Sequence, residues 1–211
     1  MALATQITGL FTGGTTLTYG QAVTPGHTLL CATAGTNEVT AVSDSVNGNW
    51  TVVGAYTYQV PHWLTLWKFV GTAAGTPQVT INQASDIIIA EYPDGDVDQY
   101  TGTASGYDGG GNMTAGPTAA LVASGEVVIG IATATSTSND PFTAGSGFSM
   151  EIQGNGPGTG TYGWEDMTAA SSAGQSMAMT AAQAVNFGAI VAVLKLPATS
   201  SKGSFMSFMV G

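Results

Sequence analysis

Three aspartates alternate through Asp94-Gly95-Asp96-Val97-Asp98, and alternate carboxylates can share a hard cation such as Ca²⁺. The stretch lacks the central glycine and the distal bidentate glutamate of an EF-hand loop, because Gln99 stands where that glycine belongs. No metal site is therefore assigned; Asp94, Asp96 and Asp98 stand as a Ca²⁺ candidate against the plainer reading of a solvated acidic turn. His27 and His62 are the only histidines, and no HxxxH or cysteine pair joins them, so they read as isolated turn residues rather than zinc ligands. Glu126, Glu151, Glu165 and Asp166 have the residue types of a paired-carboxylate glycosidase, yet their spacing selects no acid and no base. No Gly-x-Ser-x-Gly elbow is present for a Ser/His/Asp hydrolase. Cys31 is alone in the chain, which excludes an intrachain disulfide and suits a buried, inert thiol. No cofactor and no enzymatic activity are expected.

The aromatic residues allow a different chemistry, stacking on the apolar faces of sugars. Same-face aromatics on adjacent strands also build sandwich cores, and Trp50 and Trp67 are expected there. Trp164 lies between Gly163 and Glu165 in a glycine-rich stretch and is expected to be exposed. Trp164 and Tyr107 are the candidate glycan contacts.

Thirteen acidic and three basic residues give a net charge of −10, with no arginine. Nucleic-acid binding needs a cationic footprint, and three lysines cannot supply one. Anionic membrane surfaces are excluded by the same sign argument. Charged residues make up 8% of the chain against about a quarter in ordinary domains. The 44% hydrophobic content argues against disorder.

The elements that must position these residues are strands. Apolar and polar residues alternate with period two in short segments bounded by Gly, Asn, Asp and Pro, and no helical period is convincing. Expected strands are Glu38–Ser43, Asn49–Tyr58, Trp63–Val70, Gln78–Asn82, Ile87–Tyr92, Glu126–Thr133, Phe148–Gln153, Thr161–Met167, Ser176–Thr180 and Phe187–Leu196. In the second, Trp50, Val52, Tyr56 and Tyr58 are expected to share a face. Trp63–Val70 is apolar on both faces, so it is expected to be central and covered on each side. Asn47-Gly48 suits a type I′ hairpin turn, and residues 101–116 read as a long surface loop. The expected fold class is all-β, a two-sheet antiparallel β-sandwich of jelly-roll type with a C-terminal apolar tail. Residues 1–196 form a single domain on this reading, and 197–211 an extension.

That extension holds Phe205, Met206, Phe208, Met209 and Val210 after Pro197, which ends the strand, and a short Ser/Lys/Gly linker. At about 25 cal/mol per Å² of apolar surface, five such side chains would be costly to leave in water. They are expected to contact a partner subunit by strand or hook addition, or else to fold back on their own sandwich. Leu3, Ile7, Leu10 and Phe11 are the second expected partner contact. The N-terminus has neither a basic region nor a long apolar run, so a signal peptide is not expected.

An ordered set of motifs carries a resemblance. Val42-Ser43-Asp44-Ser45 with Gly48-Asn49, then Gly75 with Val79-Thr80, then Glu91-Tyr92 with Asp98-Gln99, and finally the Gly125-to-Ala134 and Ala189-to-Leu196 runs resemble a jelly-roll-like β-sandwich module of phage virion and bacterial extracellular proteins. The match covers about residues 38–196, and Pro93-Asp94 replaces the module's usual Ser-Gly. The resemblance implies a structural or adhesive role without enzyme activity. A capsid decoration protein or a tail or fibre surface protein is the leading expectation, made in the host cytoplasm and located in the virion. Its expected partners are itself, as a homo-oligomer, and a major capsid or tail protein. A carbohydrate-binding adhesin is the alternative.

Overall fold

The computed structural model describes residues 3–58, 62–93, 95–135, 141–156, 160–183 and 185–195; the side chains of 103–106 lie outside that description. The described residues contain strands and turns only. In chain order the strands are β1 (Gln6–Thr18), β2 (Thr28–Gly35), β3 (Val42–Asp44), β4 (Gly48–Asn49), β5 (Thr51–Tyr58), β6 (His62–Val70), β7 (Gln78–Tyr92), β8 (Asp96–Asp108), β9 (Asn112–Ala115), β10 (Val127–Thr135), β11 (Ser149–Gly156), β12 (Gly160–Thr168), β13 (Met177–Thr180) and β14 (Val185–Lys195).

Two antiparallel sheets face each other as a sandwich. The first runs β4-β3-β7-β2-β6-β5 with β1 also paired to β7, and the second runs β11-β12-β10-β14-β8. The first half of the chain thus makes one sheet and the second half the other. A jelly roll passes consecutive strands from sheet to sheet, and that part of the expectation is not what this path draws.

Every residue of β2 is buried, as are eight of the nine in β10. This happens because both sheets are covered on both faces. Leu30, Leu66, Ile88, Ile129, Ile131 and Trp164 fill the space between the sheets. Tyr19, Val23, Val39 and Trp50 cover the outer face of the first sheet over Cys31 and Ile89. The β9–β13 ribbon lays Met113, Met177 and Met179 over Val128 and Val191 on the outer face of the second. Strands covered on both sides lose the polar half of their alternation and read as continuous apolar runs. The central position expected for Trp63–Val70 is found, with β6 between β2 and β5.

Several expectations change. Residues 101–116 are chiefly the end of β8 and all of β9, joined at Gly109–Gly111. Their Thr/Gly/Ala composition hides a strand held by main-chain pairing to β14. Glu38–Ala41 is not strand, and β3 begins only at Val42. In β5 the register shifts between Val52 and Gly54, so Val52 is 47% exposed while Val53 is buried. A bulge exchanges faces; Trp50 consequently joins the outer cluster and Tyr58 the inner one. The Asn47-Gly48 turn is a three-residue loop, Ser45–Asn47, closed by the pair Asp44↔Gly48 with Gly48 at φ 87°.

The N-terminal residues are also reassigned. Ile7 and Leu10 lie in β1, paired to Ala90 and Ile87 of β7. Leu3, Ile7 and Phe11 pack half-buried on the inner core, and Leu10 on the outer one. Part of their apolar surface is thus used inside the chain.

Candidate functional site

A hydrogen-bonded chain links the two sheets. Successive even positions of β12 face inward, which brings Trp164 and Asp166 to the same side, opposite Tyr92 at the end of β7. Trp164 Nε1 donates to Tyr92 Oη at 2.8 Å, and the Tyr92 hydroxyl donates to Asp166 Oδ2 at 3.1 Å. The two rings stack with centroids 6.4 Å apart and planes 19° apart. Asp166 also accepts the backbone N–H groups of Leu3 and Ala4, and it shares a hydrogen bond with Glu151 of β11. Burial raises the Glu151 carboxyl above its ordinary range, and the Asp166 charge and their shared bond raise it further. Asp166 is raised by burial too, against the opposing pull of its donors. Burial, followed by the nearby Asp166 charge, lifts the Tyr92 phenol. Leu3, Gly147, Ser149, Asp166, Met167 and Thr168 line an open cleft of about 410 Å³ at this point.

Trp164 is fully buried, contrary to its expected exposure. It cannot serve as a sugar platform, and the glycan expectation retains only Tyr107, which is 69% exposed near the end of β8. Trp50 and Trp67 are buried as expected.

His27 is not isolated. Its Nδ1 lies 2.8 Å from Oε1 of Glu91 on β7. Glu91 is fully buried and also accepts Thr24 N–H at 2.7 Å and Gln6 Nε2 at 2.7 Å. The carboxylate thereby ties β1 and the loop before β2 to β7. Asp44 is used in a similar way, accepting Val46 N–H (2.7 Å), Asn47 N–H (2.6 Å) and Trp50 Nε1 (2.6 Å). Asp108 takes Gly110 N–H and Asn112 N–H at the turn before β9, and these bonds hold its carboxyl below the usual range.

Glu165 faces the opposite way from Asp166, towards the β9–β13 ribbon. Its Oε2 accepts Gly145 N–H at 2.7 Å, Oε1 has no partner, and burial raises the carboxyl to about 7. Two of the three residues of the Ca²⁺ candidate are described. Asp96 and Asp98 lie within β8, Asp96 pairs with Lys68 Nζ at 2.5 Å, and Asp94 lies outside the described residues. Among the described residues no cluster of three metal-ligating side chains forms. Cys31 is buried, and burial pushes its thiol up. Phe205, Met206, Phe208, Met209 and Val210 lie outside the described residues.

Of the four carboxylates that the sequence could not sort, the fold joins Glu151 to Asp166 and separates Glu165. A hydrogen-bonded pair is closer than the roughly 5 Å that a retaining glycosidase needs for a sugar to fit between its carboxyl groups. Sequence reasoning missed Tyr92 as a partner of these groups and Glu91 as a partner of His27. The only signal was a carboxylate or phenol within an otherwise apolar strand. No family model, curated protein or solved structure matches the chain.

Proposed function

We propose that this chain is a non-enzymatic structural protein of a phage virion, a capsid decoration protein or a tail or fibre surface protein. The observation that carries the reading is the use made of its few ionic groups. Asp44, Glu91 and Asp108 are hydrogen-bond acceptors that fasten loops and strands to one another. A carboxylate accepting several N–H groups ties together the segments that supply them. The chain puts its charge into holding a fixed shape.

Assembly then works by apolar contact. Val52 and Tyr100, 47% and 49% exposed, lie on β5 and β8, where the two sheets meet at one side. Phe205, Met206, Phe208, Met209 and Val210 supply the larger apolar surface in sequence. Contacts made only by the folded body stabilise it by mass action, and repeated copies distribute them around a particle. The net charge of −10 keeps free subunits apart before assembly.

Size-exclusion chromatography with light scattering tests the reading on the full chain and on a chain lacking residues 203–211. The expected result is an oligomer or particle-bound form that becomes monomeric on truncation, with an unchanged β-type circular dichroism spectrum. Unaltered assembly after truncation would overturn it. The exposed Tyr107 ring favours one second reading, a glycan-binding adhesin. Binding to a glycan array that disappears in Tyr107→Ala would establish that reading instead.

A further inference from the structure

Glu165 is a carboxyl set in an apolar layer. It projects from the outer face of β12 under the β9–β13 ribbon and is fully buried. Its Oε1 and Cγ lie over Gly130 of β10, where a methyl group would fall 2.7 and 2.8 Å from them and 3.0 Å from Cβ of Met177 on β13. Oε2 accepts Gly145 N–H at 2.7 Å, and Oε1 has no partner. Buried carboxylates normally face a cation or accept several bonds; this one has a single neutral donor. Strands β9, β10 and β13 and the stretch 141–148 carry no titratable side chain. On the neighbouring elements, Asp166 turns inward to Tyr92 Oη, Glu151 sits at the register shift of β11, and Asp108 holds the turn before β9. Glu126 precedes β10 and Lys195 ends β14.

The covering ribbon is held by side chains. Among the described residues β9 and β13 pair with each other and with no strand of either large sheet. A two-stranded ribbon is marginal without an apolar face to rest on, and Met113, Met177 and Met179 supply that contact. Thr143 and Thr180 exchange main-chain bonds at 2.8 and 3.0 Å, and Gly145 backs on Ala178. The ribbon is thus joined to the same loop that donates to Glu165, and the two together shut water away from this carboxyl.

We propose that ionisation of Glu165 releases the ribbon: as pH rises from acid to neutral, β9, β13 and the Gly145 loop lift from the outer face of β10 and β12. A charge in the closed layer has one donor and no water, whereas in the open form it is hydrated. Burial raises the closed carboxyl to about 7, and the hydrated group ionises near its ordinary 4.5. Opening therefore releases a proton between those values and becomes easier as pH rises through them. Below 4.5 the carboxyl is neutral in both forms and the ribbon stays down; above 7 the effect is complete. Release uncovers Met113, Met177, Met179 and Phe142, an apolar face that the closed body hides.

Hydrogen–deuterium exchange read by mass spectrometry tests this on the full chain at about pH 5 and about pH 8, with each rate corrected for intrinsic exchange at that pH. Peptides covering Asn112–Ala115 and Met177–Thr180 report the ribbon, and Thr28–Gly35 reports the core of the other sheet. Protection of the ribbon is expected to fall about tenfold or more from the lower to the higher pH, and at the higher pH to lie about tenfold or more below that of Thr28–Gly35. Glu165→Gln is neutral at both pH values and keeps an acceptor for Gly145, so it should abolish the fall. Glu151→Gln, on the edge strand β11 and only partly buried, should leave it in place. Equal ribbon protection at the two pH values in the parent chain would overturn the proposal. So would a ribbon as protected as Thr28–Gly35 at the higher pH, because Glu165 would then meet water only on global unfolding. A fall that persists in Glu165→Gln, or one that disappears in Glu151→Gln, would overturn it as well.

Discussion

The ring of Tyr56 on β5 lies directly against Gly102 on β8, where a methyl group would fall 2.5 Å from the ring carbons. The relationship is reciprocal, since the ring of Tyr100 on β8 lies against Gly54 on β5, with 2.9 Å left for a methyl group. Each tyrosine thus occupies the side-chain space that a glycine of the other sheet vacates, and the sandwich closes along this seam. The opposite side uses the same device, with the ring of Phe11 on β1 filling the space over Gly154 on β11.

Gly102→Ala is expected to destabilise the fold by about 1–3 kcal/mol, because the ring must leave its position or the strands must part. Gly109→Ala is the control: a methyl group there meets nothing within 4 Å, and its effect should stay within about 0.5 kcal/mol. Urea denaturation of both variants measures the difference. Equal stabilities would show that the seam does not hold the sheets together.

Glu165→Gln is expected to raise stability at pH 8. Burial lifts this carboxyl to about 7 from an ordinary 4.5, so the folded chain binds a proton that the unfolded chain has released between those values. Its contribution is fully present below pH 4.5 and is lost as pH rises through 7, a change on the order of 3 kcal/mol. Gln keeps an acceptor for Gly145 and carries no charge. Denaturation midpoints from pH 5 to pH 8 should therefore fall less steeply in the variant than in the parent chain.

Tyr92→Phe deletes the hydroxyl that accepts from Trp164 and donates to Asp166. The indole N–H is then left buried without an acceptor, at a cost of about 1–3 kcal/mol. Chemical denaturation followed by tryptophan fluorescence reads both the loss and the altered surroundings of Trp164. A variant as stable as the parent would mean that ring stacking alone joins the sheets at this point.

Asp44→Asn turns one acceptor oxygen into a donor that faces either Asn47 N–H, now accepted by Oδ1, or Trp50 Nε1, now accepted by Oδ2. A loss of about 1–3 kcal/mol is expected, with amide exchange accelerating in the loop Ser45–Asn47 ahead of the core. Asp44 belongs to the Val42-Ser43-Asp44-Ser45 motif, so the same experiment tests whether that motif is there to close a hairpin.

The candidate site was only half legible. Glu151, Glu165 and Asp166 are visible as acids in apolar surroundings, and nothing in their order shows which two meet. One extra residue in β11 decides that, and a bulge leaves no mark in a period-two pattern until the partner strand is known. His27 likewise read as a lone turn residue because its carboxylate partner, Glu91, is distant in sequence and is brought beside it by the pairing of β2 with β7.

By itself, the amino-acid sequence determined the all-β class, most of the strand segments from β5 to β14 and the burial of Trp50 and Trp67, and it carried the expectation that polyanions are not partners. Those follow from alternation, turn residues and net charge, which are local or summed properties. Only the tertiary structure decided that β1 and β8 are strands, that Trp164 lies inside, and that the sheets take separate halves of the chain. The physical reason is that edge pairing, glycine-made space and bulges are relations between distant segments. A Thr- and Gly-rich stretch is strand or loop according to whether another strand offers it a ladder, and an aromatic ring is core or surface according to which glycine lies opposite.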